Sequence, residues 1–192
     1  MKRYIFTKDK WCADGLIYTY SPVAHSYNEF IQEESYICLG YDPKIKKYDH
    51  TELSREDICG EGSSLSVKCS FEGNGAPLII ISDDRYTDED GRIKYGVNYE
   101  LVVYSGGCNV WRVIPDDENE ARHFRSIPVL RESFELKENE IVHLKVTVVG
   151  KKAEIDLNER HFAADLSELG DNFYMGFAGC EGVCRFYEAV FD

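Results

Sequence analysis

The chain predicts an all-β protein, a two-sheet antiparallel β-sandwich of the jelly-roll type, and three observations carry that reading. From Ser64 onward, apolar and polar residues alternate with the period of a half-buried strand. Turn chemistry of Gly, Pro, Asn and Asp interrupts the alternation roughly every ten residues, the spacing expected of a sandwich. Helical periodicity is nearly absent. Of the 192 residues 43% are hydrophobic and 13% aromatic, with 13 Tyr and 10 Phe, a supply of strand-favouring side chains large enough for one real core. The expectation is a single domain over residues 1–192, in which 64–192 form the core sandwich and 1–63 add edge strands and loops.

In the first part, YIF, GLIYTY and SYICLG read as strands, SPVAHSYNEFIQ can hold a helical turn, and the rest reads as loop. SLSVKCSF places Leu65, Val67, Cys69 and Phe71 on one side and Ser64, Ser66, Lys68 and Ser70 on the other. EGNGAP is a turn and PLIIIS a strand buried on both sides. DDRYTDEDGRIKYG is a polar loop punctuated by Gly91 and Gly96. NYELVVYS and CNVWRVI, joined through Gly106-Gly107, make a hairpin. A charged loop with Pro115 and Pro128 precedes the strands ESFEL and IVHLKVTVV; a turn at Gly150-Lys151 leads into AEIDL and the short return HFA. DLSELGDN suits one helical turn, with Asp165 as N-cap and Gly170 as stop. FYMGFAG and CRFYEAVF close the chain.

Charge and cysteine usage narrow the partners. The 35 acidic residues outnumber the 22 basic ones, and a net charge of −13 repels nucleic acid and anionic membrane surfaces. No apolar run is long enough to span a bilayer, and MKRYIFTKDKW lacks the apolar stretch of a signal peptide. Seven cysteines, Cys12, Cys38, Cys59, Cys69, Cys108, Cys180 and Cys184, are an odd number in a chain too large to need staples. Free thiols and a cytoplasmic protein are therefore expected. Zinc-knuckle spacing is missing, because Cys180 and Cys184 are not followed by a second pair and the five histidines are scattered singly.

The runs YGVNYELVVYSGGCNVWRVI, VHLKVTVVGKKAEIDLNERHF and DNFYMGFAGCEGVCRFYEAVF, in that order, resemble the concanavalin A-like lectin and glucanase superfamily over roughly residues 60–192. The resemblance implies two stacked, curved antiparallel sheets whose concave face or rim loops bind carbohydrate. Glucanases of that superfamily carry two Glu and an Asp on one strand, and the letters that match here are Glu154, Asp156 and Glu159.

Strand parity weighs against those carboxylates. A retaining glycosidase needs its working carboxyls about 5 Å apart. Glu154 and Asp156 share a face, but Glu159 lies an odd number of positions from Glu154 and falls on the other side unless a bulge intervenes. The same residues read equally as a hairpin, with Ala153, Ile155 and Leu157 inward and Asn158-Glu159-Arg160 as the polar turn. A better ligand surface is Tyr99 to Arg112. There Tyr99, Glu100, Tyr104, Asn109, Trp111 and Arg112 supply an aromatic platform and planar polar groups of the kind that bind sugars.

Alternation puts Asn109 and Trp111 on one face, Arg112 on the other, and Glu100 and Tyr104 opposite Tyr99. Arg112 can instead pair with Glu100 across the hairpin. Glu181 and Arg185 in GCEGVCRFY form either a second ligand contact or a loop-pinning pair. Asp83, Asp84, Asp88 and Asp90 are hard oxygen donors suited to Ca²⁺, yet they do not complete an EF-hand loop. The expected function is non-catalytic carbohydrate binding with no required cofactor. The alternatives are a glucanase-like hydrolase using Glu154 and Glu159, and a structural or protein-interaction domain without a sugar site.

Overall fold

The computed structural model describes residues 1–9, 14–24, 27–39, 50–116, 118 and 123–192. Trp11, Cys12, His25 and part of the charged loop before Pro128 lie outside the described residues. Seventeen strands follow in chain order: β1 (Lys2–Ile5), β2 (Leu16–Tyr20), β3 (Ile31–Gln32), β4 (Ile37–Leu39), β5 (Thr51–Arg55), β6 (Ser64–Glu72), β7 (Ala76–Ser82), β8 (Arg85–Thr87) and β9 (Ile93–Tyr95). They continue with β10 (Asn98–Tyr104), β11 (Gly107–Pro115), β12 (Phe124–Ser133), β13 (Val142–Val149), β14 (Lys152–Leu157), β15 (Arg160–Asp165), β16 (Tyr174–Cys180) and β17 (Val183–Phe191). No helix occurs among the described residues.

The strands form two sheets. The first has eight strands in the order β15, β14, β13, β6, β17, β4, β3, with β1 added against β17. The second has nine, in the order β12, β11, β10, β7, β16, β5, β2, β9, β8. Every pairing is antiparallel except the single β2–β9 bridge at Tyr20 and Lys94. The inward faces meet in one core. Leu65, Val67, Cys69, Phe71, Leu144, Val146, Ile155 and Phe186 from the first sheet pack on Ile79, Ile81, Leu101, Val103, Val110, Met175 and Phe177 from the second. Phe177 and Phe186 join the layers with ring centroids 4.8 Å apart, and Phe6 and Phe30 close on Phe177 at 5.8 and 5.9 Å.

The predicted sandwich is present, and several elements differ from the expectation for local physical reasons. Thr51–Arg55, read as loop, is a strand between β16 and β2, so residues before Ser64 contribute to the interior of a sheet as well as its edges. The loop expected around Pro128 is the edge strand β12. Its register slips opposite Val110 and Trp111, leaving Val129 unpaired and placing Pro128 where a missing N–H is tolerated. ESFEL accordingly ends a strand rather than forming one. The β10–β11 turn is Ser105-Gly106. Gly107 already belongs to β11 at φ 135°, where a Cβ would lie 2.0 Å from the Glu132 carbonyl oxygen.

Among the described residues neither expected helical turn forms. Asp165 pairs with Lys152 at the end of β15 and caps nothing, and Leu166 to Leu169 make one tight turn closed by a 2.8 Å backbone hydrogen bond. Pro22 and Val23 form a turn, and Ile31 and Gln32 are strand. Cys38, Cys59, Cys69, Cys108, Cys180 and Cys184 are free thiols.

Candidate functional site

Alternation on β10 sends Tyr99, Leu101 and Val103 into the core and Asn98, Glu100, Val102 and Tyr104 to the outer side of the nine-stranded sheet. On β11 it sends Cys108 and Val110 inward and Asn109, Trp111 and Val113 outward. These outward residues, with the Pro22-Val23 turn, His50, Phe124 and the Cys180-Glu181 end of β16, enclose a groove of about 490 Å³. Trp111 is its half-buried aromatic wall, held from outside by the Arg131 guanidinium 4.8 Å from the ring centroid.

The floor is polar. Tyr95 packs over Leu78, Ile80 and Ala178, covering the middle of the outer face. Beside it, His50, Tyr95 and Asn98 are only 4%, 2% and 1% exposed. The Tyr95 hydroxyl and Asn98 Oδ1 are buried without a hydrogen bond, and the His50 ring lies between Glu100 and Cys180. A buried polar group costs about 1–3 kcal/mol unless a water or other partner completes it. The Asn98 amide nitrogen donates to the Gly96 carbonyl at 2.9 Å.

Two carboxylates share this region. Glu100 Oε1 lies 3.5 Å from His50 Nδ1, an ion pair at the outer limit of hydrogen bonding. Burial disfavours the charged imidazole, but the Glu100 and Cys180 side chains outweigh it and carry the His50 pKa well above the usual histidine range. Glu52, on β5, is 3% exposed and accepts a short hydrogen bond from Thr19 Oγ1. Burial pushes its carboxyl up to about 7, against the opposing influence of Thr19, Arg85 and His50. Gly176 makes room for it: a Cβ there would fall 2.1 Å from Glu52 Oε1.

Of the residues singled out in the sequence, Glu100, Tyr104, Asn109, Trp111 and Glu181 line the groove. Three others do not. Tyr99 is 3% exposed in the core. Arg112 points away from the groove and approaches Glu168 at 3.8 Å, so the Arg112–Glu100 pair does not form. Arg185 stands on the outer face of the eight-stranded sheet and donates to Glu72 Oε2 at 2.5 Å and Asn139 Oδ1 at 2.9 Å. Glu181, in the turn before β17 with φ 61°, is on the groove side.

The glucanase-like carboxylates do not converge. Glu154 and Asp156 stand on the outer face of β14, where His161 from β15 bridges them, Nε2 to Glu154 at 3.0 Å and Nδ1 to Asp156 at 2.9 Å. Glu159 lies in the Asn158-Glu159 turn and faces a separate surface hollow with Leu136 and Arg160. No bulge inserts between β14 and β15, so parity holds.

The aspartates considered for Ca²⁺ serve their own loops. Asp83 accepts from Gly170 N at 2.5 Å, and Asp84 from Val97 N at 3.2 Å. Asp88 Oδ1 accepts from Asp90 N and Arg92 N at 3.0 and 2.8 Å, while Asp90 pairs with Arg92. Among the described residues no group of three or more His, Cys, Asp or Glu side chains could hold a metal ion.

Sequence reasoning missed His50, Glu52, Tyr95 and Asn98. The signal for the first two is the alternation H-T-E-L-S, which puts His50, Glu52 and Ser54 on one side of β5. Tyr95 and Asn98 carry no such signal, because only the path of the β9–β10 connection brings them over the sheet.

No protein-family model matches the chain, and no curated protein does. Solved structures do. The chain is similar to a protein of unknown function with a galectin-like fold from Bacillus subtilis, at 10% identity and TM-score 0.64, covering 100% of this chain and 94% of that one. It is also similar to the carbohydrate-binding module CBM66 from Bacillus subtilis, at 14% identity and TM-score 0.57, covering 93% and 92%. A third likeness is to the exoplasmic/lumenal domain of VIP36 in its Ca²⁺/Man-bound form, at 11% identity and TM-score 0.56, covering 99% and 88%. At such identities the likeness establishes architecture, and the chain has the fold of galectin-like and lectin-type β-sandwiches.

Proposed function

We propose that the protein binds carbohydrate, without chemistry of its own, in the groove on the outer face of the nine-stranded sheet. The observation that carries this reading is the convergence of Trp111, Tyr104, Asn109, Glu100 and Glu181 on one hollow of about 490 Å³. An indole wall takes the apolar face of a pyranose ring, and planar amides and carboxylates take its hydroxyls in pairs. Support also comes from the likeness to a carbohydrate-binding module and to a lectin domain in a sugar-bound form. Hydrolysis through Glu154 and Glu159 forms no part of the proposal, since one side chain is bridged by His161 on an outer face and the other sits in a turn.

A glycan array followed by titration calorimetry on the full chain tests the reading. The expected result is saturable binding of at least one oligosaccharide, abolished or strongly weakened in Trp111→Ala. Failure of every glycan to bind overturns it, as does binding that Trp111→Ala leaves intact.

A further inference from the structure

One thiol stands apart from the other described cysteines. Burial pushes the Cys38 and Cys59 thiols up, those of Cys69 and Cys108 up to about 12, and that of Cys184 well above the ordinary range. Cys180 is half-buried and opens on the groove. Its thiol donates to the Ala76 carbonyl at 3.6 Å.

Neighbouring strands surround that sulfur with a specific set of groups. The β16–β5 register pairs Ala178 with Glu52, and two residues further on it sets Cys180 opposite His50 on the same outer side. The His50 ring engages Cys180 on one side and Glu100 on the other, with Glu100 Oε1 3.5 Å from Nδ1. Thiol, imidazole and orienting carboxylate thus stand in one row, the arrangement that activates a nucleophile. A protonated imidazole beside a thiol stabilises the thiolate, which is the attacking species.

A donor without an acceptor adjoins the row. Tyr95 packs in the same outer-face cluster as Cys180, is 2% exposed, and has a hydroxyl with no hydrogen-bond partner. Burial, joined by the charges of Glu100, Glu52 and Cys180, pushes that hydroxyl well above the usual tyrosine range, so it stays protonated and able to donate. Such a donor suits an oxygen that gains negative charge during attack.

We propose that Cys180 is a covalent thiol site for α,β-unsaturated carbonyl compounds, with His50 beside the sulfur, Glu100 positioning the ring and Tyr95 donating to the carbonyl oxygen. In the step, the thiol proton passes to water, the sulfur bonds to the β-carbon, and the C=C electron pair moves onto the carbonyl oxygen. Water then returns a proton to the α-carbon, so nothing is oxidised and no group leaves. The site shares the groove with the proposed sugar and does not depend on sugar binding.

The test is peptide-resolved mass spectrometry of the full native chain after timed exposure to acrylamide near neutral pH, which gives each cysteine, Cys12 included, its own rate. Cys180 is expected to react at least about tenfold faster than Cys38, the other half-buried described thiol, and than the buried Cys59, Cys69, Cys108 and Cys184. A Cys180 rate no higher than that of Cys38 overturns the proposal. His50→Gln should slow Cys180 about tenfold and leave Cys38 unchanged, whereas a loosened fold would speed both. An unchanged Cys180 rate in the folded variant overturns the role of His50. Glu100→Gln should move the His50 ring titration, followed by NMR, to lower pH; an unmoved titration overturns the positioning role of Glu100. Tyr95→Phe should slow acrylamide addition about tenfold but not alkylation by iodoacetamide, in which no enolate oxygen forms. Equal effects on both reagents overturn the role of Tyr95. If a variant does not fold, the wild-type rates still decide, and glycan binding is measured apart from them.

Discussion

The two outer faces of the sandwich present carboxylates from strands of the same alternating pattern, and they have opposite fates. On the eight-stranded sheet, Glu154 and Asp156 stand beside an exposed His161, and water can solvate all three. On the nine-stranded sheet, Glu52 is buried and Glu100 lies beside His50, both largely removed from water. The difference comes from what covers the sheet. Burial pushes the Glu52 carboxyl up to about 7. The first face carries the glucanase-like letters that strand parity weighed against, and the second carries the groove proposed as the sugar site.

The largest expected effect tests that contrast through pH. Glu52 in the folded protein releases its proton near pH 7, against 4.5 as the reference value for the unfolded chain. The folded state therefore holds the extra proton between those values, and stability falls as pH rises from about 4.5 through 7. At 1.36 kcal/mol per pKa unit this corresponds to about 3 kcal/mol. His50 acts in the same direction, since its raised pKa contributes stability that is present below the unfolded value and lost as pH rises through the folded one. Thermal melts of Glu52→Gln should show a flatter pH profile and a higher Tm than the parent above pH 7. A profile identical to the parent's would contradict the buried-carboxyl account.

Trp111→Ala should cost about 2 kcal/mol of saccharide affinity, roughly thirtyfold, as truncation of an aromatic anchor does. Calorimetry checks this, with an unchanged melting curve as control. Gly176→Ala should destabilise by about 1–3 kcal/mol, because its methyl group displaces Glu52 from its space. Chemical denaturation would reveal it, and combining it with Glu52→Ala should recover part of the loss. The smallest effect belongs to the other face: Glu154→Gln should change stability by less than about 0.5 kcal/mol and leave saccharide binding untouched. A loss of binding there would reverse the assignment of faces.

Much of this organisation is legible in the sequence. Ala153, Ile155 and Leu157 are buried with Glu154 and Asp156 outside, as parity requires, and Asn109 and Trp111 share a face. The β12 strand was hidden by Pro128, whose loop-like reading fails because an edge strand at a bulge needs no N–H from it. The floor of the groove was hidden for a different reason. His50 meets Glu100 only because the order β10, β7, β16, β5 brings the start of β5 and the outer face of β10, far apart in sequence, onto one side of one sheet.

By itself the sequence determined the β-sandwich class, the inward and outward identity of most strand residues, and the acidic balance, because each follows from local periodicity or composition. The tertiary structure alone decided which polar residues lose their water. Burial is a property of what packs above a side chain, and here Tyr95 covers one sheet face while His161 and its two carboxylates remain open on the other.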